Sequence, residues 1–186
     1  ARLLCEENRS IFLPLLELFG MWELRRKLGN VCLQQLNPGH LWDKIDSQRT
    51  RTENRHAAFR REVQHKVEAL LKSAGLPGEV LPHLSVNSSL FRRVQNGESL
   101  SQLLRKLKFD VLVDNVDACY RVLGMLHTVW QPVRGRTPEG TTFRDLIANP
   151  KFNGYQVLIT NLHFPNPEPG EANLVLEFRI FTRSMY

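Results

Sequence analysis

Cysteine is scarce in this 186-residue chain: Cys5, Cys32 and Cys119 are scattered, and no CxxC pair occurs. That spacing excludes a zinc ribbon and a disulfide framework, and it favours a reducing, cytoplasmic setting. Long apolar runs are also missing. None approaches the roughly 20 residues of a membrane span, so no membrane is expected among the partners. The first residues lack the charged-then-apolar order of a secretory leader. The chain opens abruptly in a helical pattern and stops just after a strand-like run, as a piece of a longer protein would. Acidic residues are the minority charge, 19 against 25 Lys plus Arg, which gives +6 and a pI near 9.5. A basic balance suits an anionic partner such as nucleotide phosphate or nucleic acid, but it also suits helices simply coated in Arg and Lys. There is no internal repeat and no low-complexity tract.

Apolar content is ordinary at 42%, enough for one domain with a core and a helical extension. Residues 11–36 read as two helices interrupted around Pro14 and Gly20, with Leu24, Leu28 and Val31 at helical spacing. Asn37-Pro38-Gly39 is a stop. A single helix is expected from His40 to Ala74, with Phe59, Val63, Val67, Leu70 and Leu71 as an apolar stripe and Gly75 to Gly78 ending it. The arginines of Arg49–Lys66 prompt an RNA-binding reading, which no RNA motif supports.

The character changes after residue 78. A short strand is expected at Glu79–Leu84 and a helix at Ser88–Gln95. Ser99-Leu100-Ser101-Gln102 has the form of a capping box. A strand follows at Phe109–Val113, then a helix capped by Asp114 or Asn115. In that helix Val116, Tyr120, Leu123, Leu126 or His127, and Trp130 are expected to share a face. Residues 132–142 read as a loop. Two strands, about Tyr155–Phe164 and Leu174–Thr182, flank a Pro/Gly turn and form a hairpin. Helices first, then mixed strands and helices, imply an α+β fold: residues 1–78 a helical extension, residues 79–186 the domain proper. His127 reads as a packed core histidine, and Trp22, Trp42 and Trp130 as core or interface.

The segment from Phe143 to Gln156 carries the chemistry. Gly154 frees the backbone for an unusual dihedral or a close approach. Tyr155 offers a flat ring for a base, Asn153 can donate to and accept from a base edge, and Arg144 and Lys151 are placed to meet phosphates. On composition alone, an ordinary loop leading Tyr155 into a buried strand is the stronger reading.

This stretch resembles the synthetase signature of the RelA/SpoT family, approximately F-K-D-Y-I-A-x-P-K-x-N-G-Y-Q-S-L-H-T. Ala118–Pro132 resembles the helix preceding that signature. Leu176–Met185 resembles its V-E-x-Q-I-R-T-x-x-M strand. Phe19–Leu24 and Leu28–Asn30 resemble the helices that join the family's hydrolase and synthetase domains. The resemblance implies a nucleotidyltransferase-like mixed β-sheet flanked by helices and pyrophosphate transfer from ATP to the 3′-hydroxyl of GDP or GTP. It implies that Tyr155 stacks on guanine with Asn153, Gly154 and Gln156 beside it. Phosphates would fall to Arg144, Lys151 and either Arg134 or Arg136. Glu177 matches the catalytic Glu, Asp110 with Glu177 the carboxylate pair for Mg²⁺, and Ser89 the surviving residue of an ATP-side motif. Expected partners are ATP and GDP/GTP, with adjacent hydrolase or regulatory domains; a homo-oligomer is compatible with this picture.

Departures from the pattern are specific. Ile159 stands where the family has His, Arg179 where it has Gln, and Phe181 where it has Arg. The ATP-side Arg and Lys positions hold His83 and Ser85, and the strand after Asp110 is short. These losses support an alternative: a catalytically degenerate synthetase-like domain that binds guanine nucleotide or regulates a partner domain.

Overall fold

The computed structural model describes residues 2–36, 40–133, 143–165 and 173–186. They form two compact units: residues 1–55 with 85–103, and residues 56–84 with 104–186.

The first unit is helical. α1 (Arg2–Glu7) runs through a π-helical turn (Asn8–Phe12) into α2 (Leu13–Leu18). Pro14 sits in the first turn of α2, where its missing N–H costs nothing. Gly20 then adopts φ 69° and breaks the chain before α3 (Trp22–Leu36). The expected interruption is therefore real. The α3 stripe differs from expectation: Cys32 is buried, whereas Leu24 and Val31 are 47% and 55% exposed. α4 (Leu41–Arg55) buries Trp42 and Ile45. Trp42 meets Phe91 of α6 (Asn87–Gln95) at 6.4 Å, and Asn87 donates to Asp46 at 2.6 Å. A cavity of about 400 Å³ in this unit is lined by Arg9, Arg25, Arg26, Ser89 and Arg92 over an apolar floor. The helix expected from His40 to Ala74 is two helices, divided at the buried His56, with α5 (Ala57–Ser73) belonging to the second unit. No apolar residue occurs from Asp46 to His56, so the apolar pattern has nothing there with which to place the division.

The second unit is built on a five-stranded mixed sheet: β1 (Gly78–His83), β2 (Lys106–Val113), β3 (Phe143–Asp145), β4 (Leu158–Phe164) and β5 (Leu174–Thr182), ordered β1-β2-β5-β4-β3. Among the described residues only β2 and β5 pair in parallel, and α8 (Val116–Val129) lies in the crossover that a parallel pair requires. Asn115 caps α8, accepting from the amide of Ala118 at 2.9 Å. Its buried face is Ala118, Cys119, Val122 and Leu126, not the expected set, since Val116 and Tyr120 are exposed. The capping box before α7 (Leu100–Leu104) does not form; the Ser99 hydroxyl meets that of Ser101 instead.

Strand alternation divides the sheet's side chains between two faces. Leu107, Phe109, Val111 and Val113 of β2 join Leu174, Leu176, Phe178 and Ile180 of β5 under Val63, Val67 and Leu71 of α5 and the buried face of α8. Phe178 stacks on Phe109 at 5.3 Å and on Trp130 at 5.9 Å. Burying each such side chain stabilises the fold by about 1.5–3 kcal/mol. His127 donates to or accepts from Thr160 Oγ1 at 2.9 Å on this covered side. The other face carries the intervening residues, and those hold the chemistry. All three cysteines are free and buried, and burial pushes the Cys119 thiol up to about 11.

Candidate functional site

The β2–β5 register sets Lys108 beside Glu177 and Asp110 beside Arg179. These four, with Lys106, share the face opposite the helices. Their alternation with Leu107, Phe109, Leu176, Phe178 and Ile180 is the local reason: each strand gives every second residue to the core and the rest to the site.

Asp110 is only 2% exposed in its side chain. Arg179 grips it as a fork, with Nε 2.6 Å from Oδ1 and Nη2 2.5 Å from Oδ2. His83 Nδ1 is 2.7 Å from Arg179 Nη2 and 3.3 Å from Asp110 Oδ2. Arginine can only donate, so Nδ1 accepts in the contact with Nη2; a donor role toward Asp110 would need the proton on Nδ1 instead. Burial pushes the Asp110 carboxyl up, but the neighbouring His83, the hydrogen bonds from Arg179 and the guanidinium charge hold it below the usual range. Glu177 follows the same logic. Burial raises it, while Lys108 and Lys106 lower it more, with Lys106 Nζ at 3.3 Å from Oε2.

The expected carboxylate pair is therefore together on one face, yet each member already has a cation. Both Asp110 oxygens accept from Arg179, and Glu177 lies between two lysines. Mg²⁺ binds through carboxylates with free lone pairs, alongside phosphate and water. Among the described residues no three His, Cys, Asp or Glu side chains converge as a metal-ligand group. With Asp110 only 2% exposed and forked by Arg179, and Glu177 flanked by Lys106 and Lys108, the residues as arranged do not fit a divalent ion.

Tyr155 stands at the edge of this cluster. Burial raises its hydroxyl, and the charges of Arg179, Asp110, Arg144 and Glu177 act on it. Phe181 meets the ring edge-on at 6.2 Å, and Lys151 Nζ lies 5.6 Å from its centroid. Leu112, Val157, Ile159 and Phe181 form a small apolar cluster with Tyr155 packed on it. The two family positions lost to Ile159 and Phe181 are thus spent on packing against one another.

The loop before Tyr155 is tightly made. Gly154 adopts φ 77°, and its N–H donates to the Lys151 carbonyl at 2.8 Å, while the Asn153 side chain accepts from the Tyr155 amide at 3.2 Å. Gln156 Nε2 reaches the carbonyl of Ile147 at 3.4 Å. Asn153 and Gln156 therefore shape the loop; Asn153 keeps its amide N–H groups for other partners. Arg144 lies in β3, a strand and not the expected loop. Sequence reasoning passed over Asp145, whose carboxylate takes the amides of Ile147 and Ala148 and the hydroxyl of Tyr120. It also passed over Lys106 and Lys108, whose signal is the polar half of the 106–110 alternation. Ser89 lies on α6, in the other compact unit. Arg134 and Arg136 lie outside the described residues.

Residues 87–186, more than half of the chain, match the family model described as the region found in RelA / SpoT proteins. The chain belongs to the RelA/SpoT family. GTP pyrophosphokinase rsh from Brucella melitensis is 27% identical over 98% of this chain, and the probable GTP diphosphokinase RSH3 of Arabidopsis thaliana is 28% identical over 97%. Each match covers 24% of the relative, so the chain spans about a quarter of the length of these curated proteins. The small alarmone synthetase 1 of Bacillus subtilis, bound to its product pppGpp, superposes with a TM-score of 0.59 at 18% identity, covering 75% of this chain and 74% of that one. A GTP pyrophosphokinase family protein from Streptococcus pneumoniae gives 0.58 at 17%, covering 72% and 68%. At such identities the likeness is one of fold, and it agrees with the mixed sheet flanked by helices expected from the RelA/SpoT signature.

Proposed function

We propose that residues 79–186, carried behind the helical extension 1–78, form an alarmone synthetase domain that transfers pyrophosphate from ATP to the 3′-hydroxyl of GDP or GTP. The observation that carries this reading is the setting of Tyr155: a half-buried ring braced by Phe181, with Lys151 beside it and Arg144 and Glu177 within electrostatic reach. A guanine would stack on the ring, its base edge would meet the Asn153 amide, and its phosphates would meet Arg144 and Lys151. Base–aromatic stacking contributes about 1–3 kcal/mol. The exposed Lys151 would leave the ring as the base arrives. Glu177 would accept the proton of the 3′-hydroxyl.

A second reading has its own support. A general base works best with a pKa near the operating pH, and Glu177 is held low by two lysines. Asp110 is committed to Arg179. Both observations favour a domain that binds guanine nucleotide without transferring pyrophosphate. One experiment separates the two. The chain is incubated with ATP, Mg²⁺ and GDP or GTP, products are resolved by anion-exchange chromatography, and GDP binding is measured by calorimetry. A 3′-pyrophosphorylated product supports transfer. Binding without product supports the second reading, and neither binding nor product rejects both.

A further inference from the structure

We propose that Arg179 holds the position a divalent cation would need on Asp110, so that this face takes the phosphates of a nucleotide without any metal held by the protein. The inference rests on this face being the nucleotide site, though its metal half can be measured with no nucleotide present.

Occupancy comes first. A metal ion on Asp110 needs a lone pair facing the site; the Arg179 fork takes one on each carboxylate oxygen, and with the side chain only 2% exposed little open surface is left from which a hydrated ion could reach the others. Bidentate guanidinium–carboxylate pairs are among the strongest hydrogen-bonded contacts a protein makes. Arginine cannot yield its place by losing a proton. The guanidinium is also fixed in orientation: it lies 5.6 Å from the Phe181 ring centroid, and Nη2 is held by His83 Nδ1 at 2.7 Å.

Charge comes second. On β2 and β5 this face sets Lys106, Lys108 and Arg179 against Asp110 and Glu177. Arg179 sits on Asp110, and Lys106 and Lys108 sit beside Glu177, so neither carboxylate of these two strands lacks a cation neighbour. An added divalent ion would be repelled by its surroundings, whereas a diphosphate would be attracted. Arg179 also keeps a donor in hand. Its Nε and Nη2 are engaged, while Nη1 makes no hydrogen bond among the described residues, and the side chain is 21% exposed. A guanidinium that neutralises a buried carboxylate with one edge and offers another to a phosphate does the charge-balancing work of a bridging cation.

The test is a titration of the chain with Mn²⁺, following the free ion by electron paramagnetic resonance, together with GDP calorimetry in EDTA and in MgCl₂. The wild-type chain should take up no Mn²⁺ at millimolar concentrations, and its GDP affinity should agree within about twofold between the two buffers. Arg179→Gln removes the charge while keeping a hydrogen-bonding side chain, and should bind Mn²⁺ at least about tenfold more tightly than wild type. Arg179→Lys keeps a cation and should still exclude the metal, which separates charge from fold damage if the Gln variant is poorly folded. Stoichiometric Mn²⁺ uptake by the wild type that disappears in Asp110→Asn overturns the proposal, and so does GDP binding that requires Mg²⁺. No GDP binding in either buffer, with no Mn²⁺ uptake, overturns the nucleotide site and with it the phosphate half, while the metal exclusion stands.

Discussion

The two faces of the sheet are made by the same strands, residue by residue in alternation, and they solve opposite problems. On the covered face Phe109, Val111, Leu176, Phe178 and Ile180 are fully buried and make contacts that need no particular partner beyond shape. On the open face Lys106, Lys108, Asp110, Glu177 and Arg179 are arranged by charge, and each is placed by a named partner. Burial on the first face is non-directional and tolerant. On the second, removing one member leaves another charged and alone. The covered face therefore holds the domain together through shape, and the open face is the one proposed to bind.

Phe178→Ala should give the largest effect. It removes a ring stacked between Phe109 and Trp130 and should lower stability by about 3–5 kcal/mol. Denaturant unfolding followed by circular dichroism checks this, with the midpoint falling and the slope unchanged. Arg179→Ala comes next and strikes the other face. It strands the buried Asp110 carboxylate and should cost about 3 kcal/mol, the low end for such pairs because the Arg179 side chain is 21% exposed. The double variant Arg179→Met with Asp110→Leu turns this spot into a copy of the covered face and should recover stability to within about 1 kcal/mol of wild type. A double variant as damaged as Arg179→Ala would break the comparison. The pH dependence has a fixed sign. Asp110 titrates below its unfolded value, so its pairing stabilises the fold above about pH 4 and is lost as pH falls through the depressed folded pKa.

These differences explain what could be read in advance. The β5 strand, Leu174–Thr182, is legible because Leu174, Leu176, Phe178 and Ile180 recur at every second position. β2 begins at Lys106, three residues before the expected Phe109, because Lys106 and Lys108 are polar members of an alternation whose polar side is the site. The loop chemistry of Asn153, Gly154 and Tyr155 is local, and local sequence specifies it. The fork between Arg179 and Asp110 joins residues 69 positions apart through a parallel register. No spacing rule within one segment reveals such a pair. Reading Arg179 as a lost Gln and Asp110 as a metal ligand were two separate observations until the register joined them.

Tyr155 tests whether the open face binds through its aromatic edge. Tyr155→Ala should weaken GDP binding by about 1–3 kcal/mol, whereas Tyr155→Phe should stay within about twofold of wild type, since the ring and not the hydroxyl does the stacking. Equal losses in the two variants, measured by calorimetry, would move the role from ring to hydroxyl.

The smallest effect concerns a polar pair on the covered side. His127 contacts Thr160 Oγ1 at 2.9 Å, and burial lowers its pKa. A folded value below the unfolded one means the unfolded chain holds more protons in the interval between them, so stability rises with pH there. The contribution of neutral His127 is complete above its unfolded pKa of about 6.5 and fades as pH falls toward the folded value. His127→Gln keeps a hydrogen-bonding group near Thr160 but cannot titrate. Its thermal midpoint should therefore change less than that of wild type between pH 7 and pH 5, by an amount below the roughly 1 kcal/mol of an ordinary hydrogen bond. Identical pH profiles for the two proteins would mean that His127 is solvated enough to accept a proton at no cost. The covered face would then be less dry beside Thr160 than its apolar neighbours imply.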